Sequence, residues 1–325
     1  MKAKVSVIMP VLNGQRFISE AIQSIVDQTY KDCELVVVDD GSTDGTATSV
    51  EAFRGRIDIR YVRHDAPQGI PKSMNDGLRH ASGDLIAFLD HDDAWFPEFL
   101  ETQTAYLEQH PDVAMVHSDF QTIDAAGNIL EYSVAACRNR RRPSGQVFPQ
   151  LFMDSFIVGN SVLIRRECFT RLGMFDESLR WGDYLMWLRI ARFYRVDYVD
   201  KVLTKYRQFP DQSTRTLADT AARVPTPVQA IERLLALHPE VREELGERVI
   251  RQRLATSYFD LAYRWFIAGD RTTTRACLMK ALQLWPTNGR YLAMYAATVL
   301  GPAQRVTARR MWRRLKGQGV TATDL

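Results

Sequence analysis

Three carboxylates stand at the end of an apolar run in this chain. Residues 85–89 are apolar and lead directly into Asp90, Asp92 and Asp93. The pattern is typical of a buried strand that delivers acid groups to its exposed end. Mg²⁺ and Mn²⁺ prefer oxygen ligands and bind through one or two carboxylates while substrate phosphates complete the shell. The spacing therefore indicates a site for a metal ion and a diphosphate, with an Asp-rich turn capping a helix near Pro97 as the structural alternative.

The segments around these acids alternate between strand and helix patterns. Buried strands are predicted at 5–10, 34–39, 57–62 and 85–89, and helices at 17–25 and 72–80. Alternation predicts an α/β fold with a mostly parallel sheet and helices on both faces. Such sheets bind ligands outside the carboxyl ends of their strands. The polar residues at these ends should therefore gather at one edge: Asn13, Asp39, Asp40, Asp90 and Asp92.

Four segments make the chain resemble the inverting glycosyltransferases of family two, which have the Rossmann-like GT-A fold. They are residues 5–13, 24–44, 83–93 and 182–189. Together with Tyr206-Arg207 they cover roughly residues 4 to 215 in the order and spacing of the family. The resemblance implies an enzyme that takes a sugar from a nucleotide diphosphate donor.

The resemblance also implies a donor site. The base is expected near residues 10–13, with Asp40 as its hydrogen-bond acceptor and Asp39 supporting that loop. A carboxylate suits the imide N–H of uracil or thymine and does not exclude guanine. Asp92 is expected to ligate the diphosphate-bound Mg²⁺ or Mn²⁺ directly, with Asp90 nearer the ribose or supporting the metal. The nucleotide-binding set is Pro10, Val11, Asn13, Asp39, Asp40, Lys72 and Asp90.

Asp183 matches the general base of the family. Transfer with inversion needs one carboxylate to take the proton of the acceptor hydroxyl, while a metal ion holds the departing diphosphate. Because Gly182-Asp183 precedes a helical pattern at 184–193, an N-cap is the structural alternative, and both roles are compatible.

Three positions depart from the family pattern. Gly182 replaces the acid that often precedes the base, and residues 73–75 lack the usual arginine, so Lys72 or the run 138–142 would supply a cation for the diphosphate. Phe209 stands where many relatives carry a histidine, so the metal shell is expected to rely more on water.

Residues 115–180 are expected to build the acceptor side. Asn160, in the turn before an apolar strand at 162–164, is one candidate, and Trp181 beside the base could stack on a sugar ring or simply pack. The run 138–142 holds four arginines in five residues, which is typical of a solvated loop or of a clamp on phosphates.

A change of pattern near residues 225–227 predicts two domains in the 325 residues. Residues 1–220 would form the GT-A domain, with a nucleotide-binding half at 1–110 and an acceptor-binding half at 111–220, and residues 221–325 a helical region. Helices are predicted at 254–265, 271–284 and 290–300, and the stretch 258–286 faintly resembles one tetratricopeptide helix pair.

Charge is uneven, with a net of +9 in residues 221–325 (17 Lys and Arg, 8 Asp and Glu) and −6 in residues 1–220 (25 and 31). Residues 305–316 form a basic amphipathic pattern that would suit anionic lipid headgroups or be a solvated tail. No aromatic and basic recognition motif indicates nucleic acid. The cysteines have no paired spacing, and no signal peptide or membrane-spanning stretch is visible. These features predict a cytoplasmic protein. If the basic segment binds lipid, the protein would be peripheral at the inner face of the membrane.

The leading hypothesis is a non-processive transferase that moves a sugar to a hydroxyl of a glycan or lipid-linked glycan. A processive synthase would need membrane helices and a Gln-x-x-Arg-Trp motif after the base, and a sugar nucleotidyltransferase would need a glycine-rich basic loop after the first strand. A non-catalytic glycan-binding or scaffold protein on the same fold is the alternative from another class.

Overall fold

A computed structural model describes residues 4–137, 142–179, 182–209, 212 and 227–299. The chain divides into two compact units, Met1–Phe209 and Pro210–Leu325. The boundary predicted between residues 220 and 221 lies outside the described residues and stays a prediction.

The first unit is built on one large sheet. Its strands are β1 (Val5–Val11), β2 (Cys33–Asp39), β3 (Asp58–Arg63), β4 (Leu85–Phe88), β5 (Ala94–Trp95), β6 (Val113–Ile123), β7 (Ile129–Glu131), β8 (Val162–Arg165) and β9 (Arg195–Arg207). Their order is β3-β2-β1-β4-β8-β6-β9-β5, and β7 pairs with β6. The pairs β1–β2, β1–β4, β2–β3 and β6–β9 are parallel, and β8 runs antiparallel to both β4 and β6. Two parallel blocks are thus joined by one antiparallel strand.

The central strands form where the sequence is continuously apolar. All seven residues of β1 are buried, as are all four of β4, which is expected of strands covered on both faces. The helices of this unit are α1 (Ile18–Val26), α2 (Thr46–Glu51), α3 (Ile70–His80), α4 (Phe99–Gln109), α5 (Val134–Cys137), α6 (Phe148–Met153), α7 (Glu167–Leu172) and α8 (Asp183–Phe193). The predicted α/β fold with a mostly parallel sheet is confirmed.

Helix α3 packs on β1 at unusually short distance. A Cβ added at Gly77 would lie 2.3 Å from Cγ2 of Ile8, which explains a glycine inside a helix where it otherwise costs stability. The helix begins after Gly69, whose φ of 98° favours glycine. This close approach fixes α3, and with it Lys72, beside the strand ends.

The second unit is helical among its described residues. Its helices are α9 (Pro227–Leu237), α10 (Val241–Leu245), α11 (Glu247–Ala268), α12 (Arg271–Leu284) and α13 (Gly289–Val299). The predicted helix at 271–284 has the predicted ends, whereas the one at 254–265 extends to 22 residues as α11. Gly269 ends α11 with a φ of 86°, and Asp270 caps α12 by accepting a hydrogen bond from the Thr273 backbone N–H at 2.9 Å. Among the described residues, no helix is both long and apolar enough to cross a bilayer.

Candidate functional site

The carboxyl ends of β1, β2 and β4 lie side by side, because these three strands are parallel neighbours. Val11 is opposite Asp39 in the β1–β2 register, and Ile8 is opposite Phe88 in the β1–β4 register. The loops that follow carry Asn13, Asp40 and the acids after β4. The structure therefore places the polar residues singled out in the sequence at one edge of the sheet.

Asp90, Asp92 and Asp93 form a carboxylate cluster in which one oxygen of each lies within 4.8 Å of the others. Asp90 is exposed, Asp92 is partly buried and Asp93 is buried. Three carboxylate oxygens at this spacing match the hard-oxygen donor set that Mg²⁺ and Mn²⁺ require. The residues present therefore fit a divalent metal ion, with Asp90 and Asp92 as the accessible ligands.

Burial and the closeness of the acid groups raise the pKa of two carboxyls in this cluster. Loss of hydration, followed by the charges of Asp92 and Asp183, raises the pKa of Asp90 to about 7. Burial, with Asp92 and Asp90 next, raises the pKa of Asp93 well above its usual range. A bound cation would remove the repulsion between these groups.

Asp93 ties together two segments that are distant in sequence. One carboxylate oxygen accepts the Arg207 backbone N–H at 2.7 Å, and the other accepts the side-chain amide of Asn160. Trp95 donates from Nε1 to the Asn160 carbonyl at 2.7 Å. No separate role was predicted for Asp93 from the sequence, because it lies outside the Asp-x-Asp spacing.

Asn160 has only 2% of its surface exposed. An acceptor would have to displace the contact with Asp93 to reach its amide, and the acceptor role of Asn160 stays a prediction. Trp181, the other predicted acceptor residue, lies outside the described residues, as do 138–141 of the arginine run.

Arg207 lies behind the cluster as a buried cation, with 2% of its side chain exposed. Its Nε donates to the Asp92 carbonyl at 2.8 Å, and Nη1 donates to the Asp124 carbonyl at 3.2 Å. Nη2 pairs with Glu20 on α1 at 2.6 Å, and the guanidinium lies 4.7 Å from the ring centre of Phe17. Arg207 therefore fixes the backbone of the acid loop. The sequence marked Tyr206-Arg207 only as part of the family resemblance.

Asp39 is fully buried and stabilises the loop after β2 by hydrogen bonds. It accepts the Ser42 backbone N–H at 2.7 Å, the Tyr61 hydroxyl, and Arg63 Nη1 at 3.1 Å. Hydrogen bonds from Ser42 and Tyr61 outweigh the effect of burial and lower the pKa of Asp39. This geometry agrees with the supporting role expected for Asp39.

The Asp40 carboxylate also accepts hydrogen bonds from other parts of the protein. It accepts the backbone N–H groups of Gln68 and Gly69 at 2.7 and 2.8 Å, and it lies 2.7 Å from Nδ1 of His64. A carboxylate offers about four acceptor positions. One base N–H could therefore still be accepted, and the contact of Asp40 with a base stays a prediction.

His64 and Lys72 belong to one network that the sequence did not indicate. His64 Nε2 lies 2.9 Å from Asp76, and Lys72 Nζ donates to the same Asp76 oxygen at 2.6 Å. A diphosphate would compete with Asp76 for Lys72. His64 stands in no motif, and only the fold brings its two nitrogens between Asp40 and Asp76.

The loop after β1 is fastened to the loop after β2. Asn13 has a φ of 54°, its backbone N–H donates to Ser42 Oγ at 2.8 Å, and its side chain accepts the Thr43 backbone N–H at 2.9 Å. Pro10 and Val11 are buried in β1. The segment predicted to bind the base is therefore hydrogen-bonded to the loop after β2.

Asp183 is the first residue of α8, and Gly182 occupies the cap position where the sequence suggested Asp183 itself. One oxygen accepts the Tyr184 backbone N–H at 2.8 Å. The other oxygen has no hydrogen-bond partner among the described residues and lies 4.0 Å from a Cβ built at Gly159. Burial raises the pKa of Asp183, and its charge acts on Asp90.

Phe209 packs on Phe17, with ring centres 5.1 Å apart. The position where many relatives carry a histidine is therefore part of an apolar contact.

The profile of glycosyl transferase family 2 matches residues 6–173, which is more than half of the chain. An uncharacterized glycosyltransferase of Rickettsia typhi is 33% identical over 216 residues, which are 65% of this chain and 66% of that protein. The Escherichia coli UDP-Glc:alpha-D-GlcNAc-diphosphoundecaprenol beta-1,3-glucosyltransferase WfgD is 30% identical over 206 residues, covering 62% of this chain and 76% of that protein.

Two solved structures share the fold at low sequence identity. S. aureus TarS 1-349 in complex with UDP-GlcNAc has a TM-score of 0.63 at 17% identity, covering 91% of this chain and 90% of that one. The mannosyltransferase PcManGT from Pyrobaculum calidifontis, in complex with GDP-Man and Mn²⁺, has a TM-score of 0.58 at 20% identity, covering 95% and 84%. The resemblance found in the sequence is confirmed, and the chain belongs to glycosyl transferase family 2.

Proposed function

We propose that the protein is a non-processive inverting glycosyltransferase that moves a sugar from a nucleotide diphosphate donor to a hydroxyl of a glycan or lipid-linked glycan. The observation that carries the proposal is the placement of the carboxylate cluster at the sheet edge, within electrostatic reach of the unpartnered oxygen of Asp183. Metal and base functions are thereby supplied by different carboxylates.

The donor would lie along the edge formed by the loops after β1, β2 and β4. Asn13 and Asp39 hold the first two loops by hydrogen bonds, and Asp40 would accept an N–H of the base. TarS was solved with UDP-GlcNAc and PcManGT with GDP-Man, so this fold accommodates uridine and guanosine donors. The donor panel that tests the proposal therefore includes both UDP and GDP sugars.

Asp90 and Asp92 would hold Mg²⁺ or Mn²⁺, which supplies charge neutralisation for the departing diphosphate. Arg207 keeps the Asp92 backbone in place through its bond to the carbonyl. PcManGT contained Mn²⁺, which supports this choice of cation.

Asp183 would take the proton of the acceptor hydroxyl. As that oxygen forms its bond to the anomeric carbon, the bond from this carbon to the diphosphate breaks on the opposite face, and a nucleoside diphosphate leaves. Inversion follows from attack opposite the leaving group. The raised pKa of Asp183 makes it a stronger base than an ordinary aspartate.

The acceptor proposal rests on the relatives. The name of WfgD states a diphosphoundecaprenol acceptor, which supports a lipid-linked glycan acceptor here; the proposal includes a place at the cytoplasmic face of a membrane, where such an acceptor would be met. The basic segment 305–316, proposed to contact lipid, lies outside the described residues.

The test is turnover with a panel of UDP, GDP and dTDP sugars and a diphosphoprenol glycan acceptor, monitored by release of nucleoside diphosphate and by NMR of the anomeric proton. We expect one donor to react, with inversion and with Mn²⁺ required. Tight donor binding with no turnover toward any acceptor in the panel, equal in wild type and Asp183→Asn, would instead support the scaffold alternative.

A further inference from the structure

A cavity of about 320 Å³ lies in the helical unit, between the first turns of α11 and the last turn of α12. Its volume is at the lower end of the range of small-molecule sites, about 300 to 1,000 Å³. The lining residues are Glu247, Arg248, Arg251, Gln252, Leu284 and Trp285.

Two arginines give this cavity a positive wall. Arg248 and Arg251 are three residues apart on α11, so they share one face of the helix, and both are exposed. In the described part of the chain neither guanidinium is paired with a carboxylate, and the bond from Arg251 Nη2 to the Gln283 carbonyl is long at 3.4 Å. The neighbouring Arg242, by contrast, pairs with Glu247 at 2.8 Å. With no carboxylate partner among the described residues, the two guanidiniums are available to an anion.

Trp285 gives the same cavity a rigid aromatic wall. Tyr291, itself 4% exposed, packs edge-on against the indole with ring centres 6.5 Å apart and planes at 88°. Tyr291 in turn stacks on Phe259 at 4.6 Å. A tryptophan held in this way offers a flat apolar face and loses little freedom when a ligand covers it.

The aromatic, amide and arginine side chains that line the cavity indicate the chemical class of its ligand. An aromatic face suits the C–H side of a pyranose ring, the Gln252 amide can donate to and accept from hydroxyl groups, and the arginine pair requires a negative group on the same ligand. We propose that this cavity binds a sugar unit that carries a phosphate or carboxylate, as a glycan-binding site separate from the transfer site.

The proposal goes beyond the transfer reaction and is tested without turnover. The full chain is titrated with glucose 1-phosphate, glucuronic acid, glucose and inorganic phosphate by saturation-transfer NMR and calorimetry. The variants are Arg248→Gln with Arg251→Gln, and Trp285→Phe and Trp285→Ala. Arg271→Gln with Arg290→Gln removes two exposed charges from the same unit as a matched control, and Asp92→Asn reports on binding at the carboxylate cluster.

We expect both acidic sugars to bind and glucose to bind at least about tenfold more weakly, because the charge-assisted hydrogen bonds are lost. The double variant at Arg248 and Arg251 should bind the acidic sugars at least about tenfold more weakly than wild type does. Trp285→Ala should weaken binding more than Trp285→Phe. The matched control and Asp92→Asn should bind the acidic sugars like wild type. Undetectable binding of both acidic sugars, or binding that survives the Arg248 and Arg251 changes, would overturn the proposal. Inorganic phosphate binding as tightly as glucose 1-phosphate, with no effect of Trp285→Ala, would overturn the sugar assignment.

Discussion

Replacing Asp92 with asparagine should stabilise the metal-free protein and remove its response to Mn²⁺. One carboxylate oxygen of Asp92 lies within 4.8 Å of an oxygen of Asp90 and of Asp93. Asparagine keeps the shape of the side chain and removes one negative charge. A residue kept for metal binding at the expense of stability should show both effects at once.

The size of the effect follows from the spacing. Two unit charges at 4.8 Å repel by about 3.5 kcal/mol at an effective dielectric constant near 20 and by about 1 kcal/mol in water. The pair of Asp90 and Asp92 alone gives the smallest repulsion, because negative charge on Asp93 would add to it. The exposure of Asp90 favours the lower value, so at about pH 8, above the pKa of Asp90 of about 7, we expect about 1 kcal/mol, or a rise of about 2 to 4 °C in Tm for a unit of this size.

The assay is thermal unfolding in EDTA and in millimolar Mn²⁺, with Asp84→Asn as the control because Asp84 is an exposed acid directly before β4. Wild type and Asp84→Asn should gain stability from Mn²⁺, because a ligand of the native state raises Tm. Asp92→Asn should start higher in EDTA and gain nothing. A lower Tm in EDTA together with an undiminished Mn²⁺ shift would refute the reasoning.

Four further predictions concern separate parts of the structure. Asp183→Asn should lower kcat by about 10² to 10⁴ fold with donor affinity unchanged by calorimetry, and parallel losses of both would contradict a base role. Arg207→Met should cost about 1 to 3 kcal/mol in urea unfolding, because the Asp92 and Asp124 carbonyls lose this donor, and should weaken Mn²⁺ binding, with Arg207→Lys partly restoring both; unchanged Mn²⁺ affinity in both would contradict the positioning of Asp92. Because the folded pKa of Asp90 lies near 7, above its unfolded value, the metal-free fold should lose stability as pH rises from about 5 to 7.5, and a urea midpoint that rises over this window would be contrary evidence. Gly77→Ala should destabilise by about 1 to 3 kcal/mol because its Cβ would overlap Ile8, and a neutral change in Tm would contradict the tight packing of α3 on β1.

The nucleotide half could be predicted because its signals are local. Each central strand is an unbroken apolar run, and each run ends in the polar residues that the parallel topology brings together. The edge holding Asp40 and Asp90 follows from that rule alone.

Apart from β8, which the apolar run at 162–164 predicts, the second half of the sheet could not be found in this way. Strands β6 and β9 pair in parallel although more than 70 residues separate them. Both strands bury polar side chains, such as His117 and Asp197, and these interrupt the apolar pattern by which a buried strand is recognised. The burial of Arg207 could not be predicted from the sequence either. Arginine is rarely buried unless it is paired, and the sequence does not show which residues pair with it. Its partners Glu20 and the Asp92 carbonyl are brought to it only by the complete fold.

The measurement that tests the central claim most directly is a thermal-shift titration of the purified protein with UDP, GDP, dTDP and CMP, each with and without Mn²⁺, in wild type, Asp92→Asn and Asp183→Asn. Metal-assisted donor binding predicts a shift with one nucleoside diphosphate that requires Mn²⁺, that disappears in Asp92→Asn and that persists in Asp183→Asn. A nucleotide shift of equal size without Mn²⁺ and in Asp92→Asn, or no shift with any nucleotide, would contradict it.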